Sequence, residues 1–249
     1  MKFVLIALLV GACLTVSWPS ATKTVTKSAP IEVKDGQTFD GFKENGNKWV
    51  RYDRGKKNLG DCKNVEGGQK DAVFLLKTGA TLKNVVLGAN AVEHVHCQGE
   101  GCTVENVWWE DVCEDALTFE KGTSTSAKFY VKGGGARNGS DKIIQHNSAG
   151  TVYISDFYVE NSGKLYRACG NCKSGYQGKR TVYMTNVTAK SVSTLAGYNQ
   201  NYGDKVYLTN VSTSSGHVCR AFKGNNTGKE PTAIEYQCDT KSISSCTCS

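Results

Sequence analysis

The chain has 249 residues, a formal net charge of +7, 27 glycines and only three prolines. This length fits one domain, and after the first residues no stretch is apolar enough to span a bilayer, which excludes a membrane-embedded class. A basic secreted protein commonly meets a polyanion, and outside the cell an acidic polysaccharide is more common than a nucleic acid. The same charge also fits a plain solubility feature.

The first 21 residues have the pattern of a secretory signal. Lys2 supplies the positive start, residues 3–16 form an apolar run, and residues 17–21 offer small side chains for cleavage. The sequence therefore predicts a signal peptide over residues 1–21. The mature chain is expected to begin near Thr22, to be secreted to the extracellular space, and to form one domain over residues 22–249.

Loss of the signal removes Cys13 and leaves ten of the eleven cysteines. An even count in a secreted chain predicts disulfides, although the sequence leaves their pairing open. Cys169 and Cys172 have the spacing of a zinc or redox motif. Because no second pair of that kind follows, we expect them to form a structural disulfide.

Residues 22–50 carry short β-like pieces and are expected to form an N-terminal cap. From Ala72 onward, apolar runs of four to six residues alternate with Gly, Asn or Ser, as in short strands. No proline lies between Pro30 and Pro231, which suits strands inside a sheet. The last residues, 230–249, carry three cysteines and are expected to form a disulfide-tied C-terminal cap.

A short phrase recurs along the chain: apolar and polar side chains alternate and then meet a residue that tolerates a left-handed backbone. The six corner residues are Asn84, Asn106, Gly133, Asp156, Asn186 and Asn210. Units of this length, each too small to close a core alone, predict an all-β parallel β-helix solenoid. A β-sandwich would also give evenly spaced strands, but it would not explain the recurring corner residue.

The repeat also aligns charged side chains on neighbouring coils, which lie about 4.8 Å apart. Nine residues after a corner stand Glu93, Asp115 and Lys142. Eight residues after a corner stand Glu114, Asp141 and Lys164, and Arg167 follows on the same stripe. A solvent-exposed ladder of alternating charge is the simpler alternative. The change from acidic to basic along the stack favours a functional site.

This stack suggests a particular chemistry. Clustered carboxylates on rigid strands suit Ca²⁺, which takes six to eight oxygen ligands. We expect the ion and Arg167 together to lower the pKa of Lys142, so that this amine can act as a base. A base beside a carboxylate-binding arginine suits proton abstraction and β-elimination. It does not suit hydrolysis, which usually needs two carboxyl groups flanking the bond.

Several motifs in order resemble one known family. They are residues 69–74, 79–85, 95–97, 109–116, 141–142 and 163–167. The sequence resembles the small secreted pectate lyases of microbes and plant parasites, which fold as a single-stranded, right-handed parallel β-helix. The resemblance covers about residues 38–226. It implies Ca²⁺-dependent cleavage of α-1,4-polygalacturonate, the backbone of plant cell wall pectin. Separately, we expect a monomer with no nucleic-acid or membrane partner.

The resemblance also implies roles for individual residues. Glu66, Glu93, Glu114 and Asp115 match the family's metal region. Lys142 matches the base that removes the C5 proton, with Arg167 beside it at the catalytic centre. Asp141, Lys164 and Arg167 match positions that bind the uronate chain. His94 departs from the pattern, because glycine is expected after the acidic residue, and the imidazole is expected either to crowd the metal or to tune its bound water.

Two further features concern side-chain direction. His96 is expected to face inward with its hydrogen bonds satisfied, because a metal site with Cys97 or Cys102 would need reduced thiols. Of Trp108 and Trp109, one should face the core and the other solvent, since successive side chains of a strand point to opposite faces.

Two other functions remain open from the sequence. The first is a polygalacturonase-like hydrolase on the same fold that uses Asp111, Glu114 and Asp115. The second is a non-catalytic pectin-binding solenoid, whose acidic patch merely holds Ca²⁺.

Overall fold

The computed structural model describes residues 16–56, 62, 65–120, 122–214 and 217–249, so most of the expected signal lies outside the described residues. The strands are Lys23–Thr26 (β1), Ile31–Val33 (β2), Thr38–Asp40 (β3), Val50–Asp53 (β4), Phe74–Leu76 (β5), Ala80–Leu87 (β6), Val95–Gln98 (β7), Cys102–Trp109 (β8), Asp115–Glu120 (β9), Lys128–Arg137 (β10), Lys142–His146 (β11), Gly150–Ser155 (β12), Tyr158–Ala168 (β13), Arg180–Asn199 (β14), Lys205–Thr213 (β15), Cys219–Lys223 (β16), Thr232–Gln237 (β17) and Ser242–Cys248 (β18). One short α-helix covers Gly41–Glu44, and two 3₁₀ turns cover Gln69–Asp71 and Gln200–Tyr202.

The strands wind into coils with three walls. Wall 1 contains β3, β12 and the first parts of β6, β8, β10, β14 and β15. Wall 2 contains β1, β4, the second parts of β6, β8 and β10, and the first part of β13. Wall 3 contains β2, β5, β7, β9, β11, the second part of β13, the end of β14, and β16. Every pair named here is parallel, so the predicted β-helix is confirmed.

The interior is filled by columns of apolar side chains, one from each coil. On wall 1 a single column contains Leu82, Val104, Val131, Ile154, Met184 and Leu208, each at most 1% exposed. Full burial of one such side chain contributes roughly 1.5–3 kcal/mol. No single coil encloses this core, so the columns hold neighbouring coils together.

All six predicted corner residues have left-handed backbone, with φ between 51° and 64°. Their side chains form a ladder: Asn106 Nδ2 donates to Asn84 Oδ1 at 2.8 Å, and Asn210 Nδ2 donates to Asn186 Oδ1 at 2.7 Å. Gly133 interrupts the ladder because it has no side-chain amide. The repeat found in the sequence is therefore a repeat of backbone shape as well as of side chains.

Both the disulfides and the end of the chain agree with their sequence signals. Five disulfides pair all ten expected cysteines: 62–113, 97–102, 169–172, 219–248 and 238–246. Strands β17 and β18 run antiparallel to β16 and β15 and close the last coil. Among the described residues, no helix is both long and apolar enough to cross a membrane.

The corner ladder allows a direct test of its contribution to stability. Asn106→Ala removes the amide and leaves a Cβ on left-handed backbone, so we expect a loss of about 2–3 kcal/mol in the free energy of unfolding. Asn106→Gly loses the same amide but keeps the favoured backbone, and should cost about 1 kcal/mol less. Urea denaturation of both variants measures the difference. Equal losses would show that the left-handed geometry contributes nothing.

Candidate active site

A groove of about 540 Å³ runs along the outer face of wall 3. Its floor is formed by side chains of β7, β9, β11 and β13, and its ends by the 66–68 and 170–171 segments, Phe222 and Pro231. Eight charged residues named from the sequence all line it: Glu66, Glu93, Glu114, Asp115, Asp141, Lys142, Lys164 and Arg167. The coils thus bring together residues that are up to 101 positions apart in the chain.

The register of the strands decides which of these charges are neighbours. Lys142 pairs with Asp115 on one side, as the corner count predicts, and with Lys164 on the other. The count placed Lys164 beside Asp141, which is wrong by one residue. Lys164 lies eight residues after its corner, Asp156, whereas its partner Lys142 lies nine residues after Gly133. Arg167 consequently stands beside Gln145.

Lys142 lies among three carboxylates. Its ammonium Nζ donates to Asp141 Oδ2 at 2.6 Å and lies 3.5 Å from Asp115 Oδ1 and 3.6 Å from Glu114 Oε1. Burial by itself lowers the pKa of Lys142, but Asp115, Asp141 and Glu114 outweigh it and raise that pKa above its usual value. The expected lowering is therefore not produced by the protein's own charges. Neutralisation of those carboxylates would lower the pKa of Lys142.

The acidic end of the groove is crowded with negative charge. Burial raises the pKa of Glu93 to about 7, with Glu114 adding to the rise and His96 opposing it. Burial also raises the pKa of Asp115 well above its usual range, opposed by Lys142. Asp115 Oδ1 is buried and accepts no hydrogen bond from any described residue. Carboxylate oxygens are the ligands that a hard divalent cation prefers, and such an ion would relieve the repulsion between these groups.

His96 belongs to this groove, and its expected inward direction is wrong. Val95 and Cys97 point into the core, so the alternation of β7 turns His96 outward. Its Nε2 lies 3.1 Å from Glu93 Oε2 and its Nδ1 lies 3.2 Å from Glu120 Oε1. Burial lowers the pKa of His96, but the two carboxylates outweigh burial and raise it to about 9. Cys97 and Cys102 form a disulfide, so they offer no thiolate to a metal.

The basic end of the groove begins at Asp141. Burial opposes ionisation of its carboxyl group, but the hydrogen bond from Lys142 and the charge of Lys164 outweigh burial and lower the pKa of Asp141. Lys164 Nζ donates to Asp141 Oδ1 at 3.0 Å. One carboxylate thus joins the two lysines and holds both ammonium groups against the groove floor.

Arg167 lies in a slot made by two glycines and an aromatic ring. Its guanidinium carbon lies 3.9 Å from the centre of the Phe222 ring, and its Nη1 donates to the carbonyl of Ala168 at 2.6 Å. A Cβ at Gly197 would lie 2.7 Å from Arg167 Cδ, and a Cβ at Gly170 would lie even closer to its Nη2. Burial lowers the pKa of Arg167 to about 10. The slot orders the guanidinium before any substrate arrives.

Other residues named from the sequence lie outside the groove. His94 is fully buried and its Nε2 donates to the Gly88 carbonyl at 2.9 Å, so the expected crowding of a metal by this imidazole is wrong. Trp109 is in the core and Trp108 faces outward on wall 2, which confirms that one of the pair is buried and one is not. Asp111 is exposed and is not among the described residues that line the groove.

The position of Asp111 outside the groove argues against the hydrolase alternative. It required Asp111, Glu114 and Asp115 to act together, and only the last two face the groove. Both of these lie within 3.6 Å of the Lys142 ammonium. A lysine between the carboxylates is not the arrangement of an acid and a base flanking a glycosidic bond.

Comparison with known families agrees with this geometry. The family model described as "Pectate lyase" matches residues 15–229, most of the chain. The chain belongs to the pectate lyase family. Pectate lyase E of Emericella nidulans is 50% identical over 214 residues, which cover 86% of this chain and 78% of that protein. Probable pectate lyase F of Aspergillus terreus is 47% identical over 219 residues, 88% of each chain. The chain is therefore a polysaccharide lyase.

Solved pectate lyases share the fold. The catalytic domain of pectate lyase PelI from Erwinia chrysanthemi aligns with a TM-score of 0.69 at 30% identity and covers 89% of this chain and 94% of that one. The same enzyme solved in complex with tetragalacturonic acid aligns with a TM-score of 0.62 at 30% identity, covering 85% of this chain and 64% of that chain. The resemblance drawn from the motifs is confirmed at the level of family and fold.

Several groove residues were not foreseen. Glu120, Gln145, Asn147, Asn171, Phe222 and Glu230 also line the groove. The strand alternation that places His96 outward would also have placed Glu120 and Gln145 there, because they follow on neighbouring outward positions of β9 and β11. No repeat marks Asn171, Phe222 or Glu230, which reach the groove from its far end.

The slot around Arg167 predicts that a single methyl group impairs this pectate lyase. Gly197→Ala should displace the guanidinium, and a misplacement of about 1 Å can cost on the order of 100-fold in kcat/KM. Gly178→Ala is the matched control, because a Cβ there meets no atom within 4 Å. Steady-state lyase assays and thermal melts of both variants provide the measurement. Normal kcat/KM in Gly197→Ala would mean that the position of Arg167 is unimportant.

Proposed function

We propose that this groove binds α-1,4-polygalacturonate and cleaves it by Ca²⁺-dependent β-elimination, with Lys142 as the base. The observation that carries the proposal is the single groove with an acidic end at Glu93, Glu114 and Asp115 and a basic end at Lys164 and Arg167. Lys142 lies between the two ends. A polyanionic substrate needs positive charge for binding, and elimination needs a base rather than a second carboxyl group.

Glu93, Glu114 and Asp115 are the residues that would hold the calcium ion, with Glu66 at the exposed rim of the same groove. When bound, the ion supplies positive charge that binds the uronate carboxylate and acidifies the proton beside it. Asp115 Oδ1, which is buried and accepts no hydrogen bond from any described residue, and the raised pKa values of Glu93 and Asp115 support this assignment. Neutralising Asp115 and Glu114 would also remove two causes of the raised Lys142 pKa and leave the contribution of Asp141.

In the proposed reaction, the neutral Lys142 amine removes the proton at C5 of a galacturonate unit. The electron pair left at C5 forms the C4–C5 double bond, the C4–O bond breaks, and the departing oxygen takes a proton. Arg167 holds the carboxylate attached to C5 and stabilises the negative charge that develops there. Its confinement by Gly170, Gly197 and Phe222 means that this stabilisation requires no rearrangement.

Substrate binding is assigned to the basic end. Lys164 and Arg167 attract the carboxylates of neighbouring galacturonate units, and Asp141 fixes the two lysines at the centre. The complex of the related PelI enzyme with tetragalacturonic acid supports an acidic oligosaccharide as the ligand class. The charge of +7 suits a pectic polyanion as the partner.

We further propose that the enzyme is secreted and acts on plant cell wall pectin as a monomer, without nucleic acid or membrane partners. The five disulfides support an oxidising compartment. The apolar run after Lys2 supports export through a cleaved leader.

The role of Lys142 predicts a specific loss. Lys142→Ala should reduce turnover on de-esterified polygalacturonate by about 100- to 10,000-fold, which is the usual contribution of general base catalysis. Lys142→Arg should also be inactive although it keeps the positive charge, since a guanidinium does not deprotonate. The measurement is ultraviolet absorbance of 4,5-unsaturated products at alkaline pH. Lys132→Ala, an exposed lysine on wall 1, is the control for removing one charge.

The pH dependence follows from the same role. Only neutral Lys142 accepts a proton, and the carboxylates around it raise its pKa. The rate should therefore rise as pH increases through the alkaline range. A rate that is flat between neutral and alkaline pH would exclude a lysine base.

Calcium should bind to the folded protein independently of turnover. Added Ca²⁺ should raise Tm by about 5–11 °C at 100 times its Kd, because ligand binding at that ratio stabilises by about 2.7 kcal/mol. Asp115→Asn should abolish the shift, whereas Asp111→Asn, an exposed acid outside the groove, should keep it. A shift that survives Asp115→Asn would place the ion elsewhere.

The same assays discriminate the alternatives. Product absorbance that stops on addition of a chelator supports the calcium-dependent lyase. New reducing ends without that absorbance would indicate hydrolysis. Binding of polygalacturonate with neither product would indicate a pectin-binding solenoid.

A further inference from the structure

The segment before the first strand lies against the solenoid. Thr22 is tied to the first coil, because its backbone N–H and its hydroxyl both donate to the carbonyl of Trp49, at 2.9 and 3.1 Å. Upstream of it, Trp18 lies 5.1 Å from Trp108 and 6.4 Å from Tyr158, both measured between ring centres and both edge-to-face. The guanidinium carbon of Arg137 lies 4.3 Å from the Trp18 ring.

These contacts fill a gap in wall 2. Trp108, Gly135 and Tyr158 are paired in register on three successive coils. Gly135 has no side chain, and a Cβ there would lie 3.1 Å from the Trp108 ring and 2.8 Å from the Tyr158 carbonyl oxygen. The middle position of this aromatic column, Gly135, therefore contributes no side chain. The Trp18 ring covers the column at that point.

Residues 18–22 reach this position by crossing the strands. Thr24 pairs with Arg51, Arg51 with Val86, and Val86 with Trp108, so three strand spacings of about 4.8 Å separate the first and last rungs. Five extended residues span up to about 17 Å, which matches this distance. Pro19 favours an extended backbone at Trp18 and has no N–H that would need a partner.

The position of Trp18 bears on where the leader is cut. A cut before Thr22 would discard the tryptophan that covers this column and leave the Trp108 ring uncovered. Signal cleavage prefers small residues at the first and third positions before the cut. Thr15 and Ser17 satisfy this for the bond before Trp18, whereas Pro19 occupies the third position for a cut after Ala21. The family match also begins upstream of this segment, at residue 15.

We propose that Trp18 is retained in the mature enzyme and that residues 18–22 form a strap across the first coils of wall 2. Hydrolysis of the Ser17–Trp18 bond by a signal peptidase gives a carboxylate on Ser17 and a free amine on Trp18. The strap contacts coils that do not contact one another, which is unusual in a solenoid, where each repeat contacts only its neighbours.

The first experiment expresses the full chain with its own leader in a eukaryotic host and determines the amino terminus of the secreted protein by sequencing and intact mass. A chain that begins at Trp18 or upstream of it supports the proposal, and one that begins at any residue after Trp18 overturns it. The proposal rests on secretion but not on the proposed chemistry. Protein that stays in the cell with its leader intact would refute secretion itself, whatever its lyase activity.

The second experiment measures what the strap contributes. Trp18→Ala should lower Tm by about 4–8 °C, because the edge-to-face contacts with Trp108 and Tyr158 and the contact with Arg137 are lost together. Joining the leader directly to Thr22 should lower Tm by the same amount. Ser20→Ala, an exposed residue of the same segment, is the matched control and should leave Tm unchanged. Lyase activity at 25 °C should stay constant in all of them, and an unchanged Tm in Trp18→Ala would overturn the strap.

Discussion

The parallel register of neighbouring strands is the constraint on which the rest of this structure depends. Because each coil repeats the path of the one before it, every side chain has a fixed neighbour about 4.8 Å above and below. The same rule stacks apolar residues into a core, amides into the corner ladder, and charges into the groove. Insertions between the corners change loop length, but the left-handed residue at each corner restores the register.

The charged side chains that give the groove its chemistry lower the stability of the folded protein. Glu93 and Asp115 are buried, and burial raises the pKa of both carboxyl groups, so their ionisation costs free energy in the folded state. Lys142 and His96 offset part of that cost through ion pairs within the groove. The core columns and disulfides beneath supply the rigidity that holds such a cluster in place.

A solenoid has two exposed ends, and each of its coils contacts only the adjacent coils. Segments near both ends of this chain add contacts that the repeat does not provide. At the carboxyl end, β17 and β18 run antiparallel to the last coil, and the Cys219–Cys248 disulfide ties β18 to β16. At the amino end, Trp18 reaches across several rungs to cover the column left open at Gly135. The two devices differ, but each one joins parts of the chain that the repeat itself does not connect.

The sequence by itself determined the fold, the six corners, and seven of the eight charged residues in the groove, because each of these follows from a periodic pattern along the chain. The eighth, Glu66, lies before the first corner and followed only from the resemblance to a known family. Only the tertiary structure decided the pairing of Lys142 with Lys164, since one coil is a residue shorter than its neighbour. It also decided the carboxylate surroundings that raise the Lys142 pKa and the slot that Gly197 and Phe222 form around Arg167. Those contacts join distant segments without a repeat, and spacing along a chain carries no record of them.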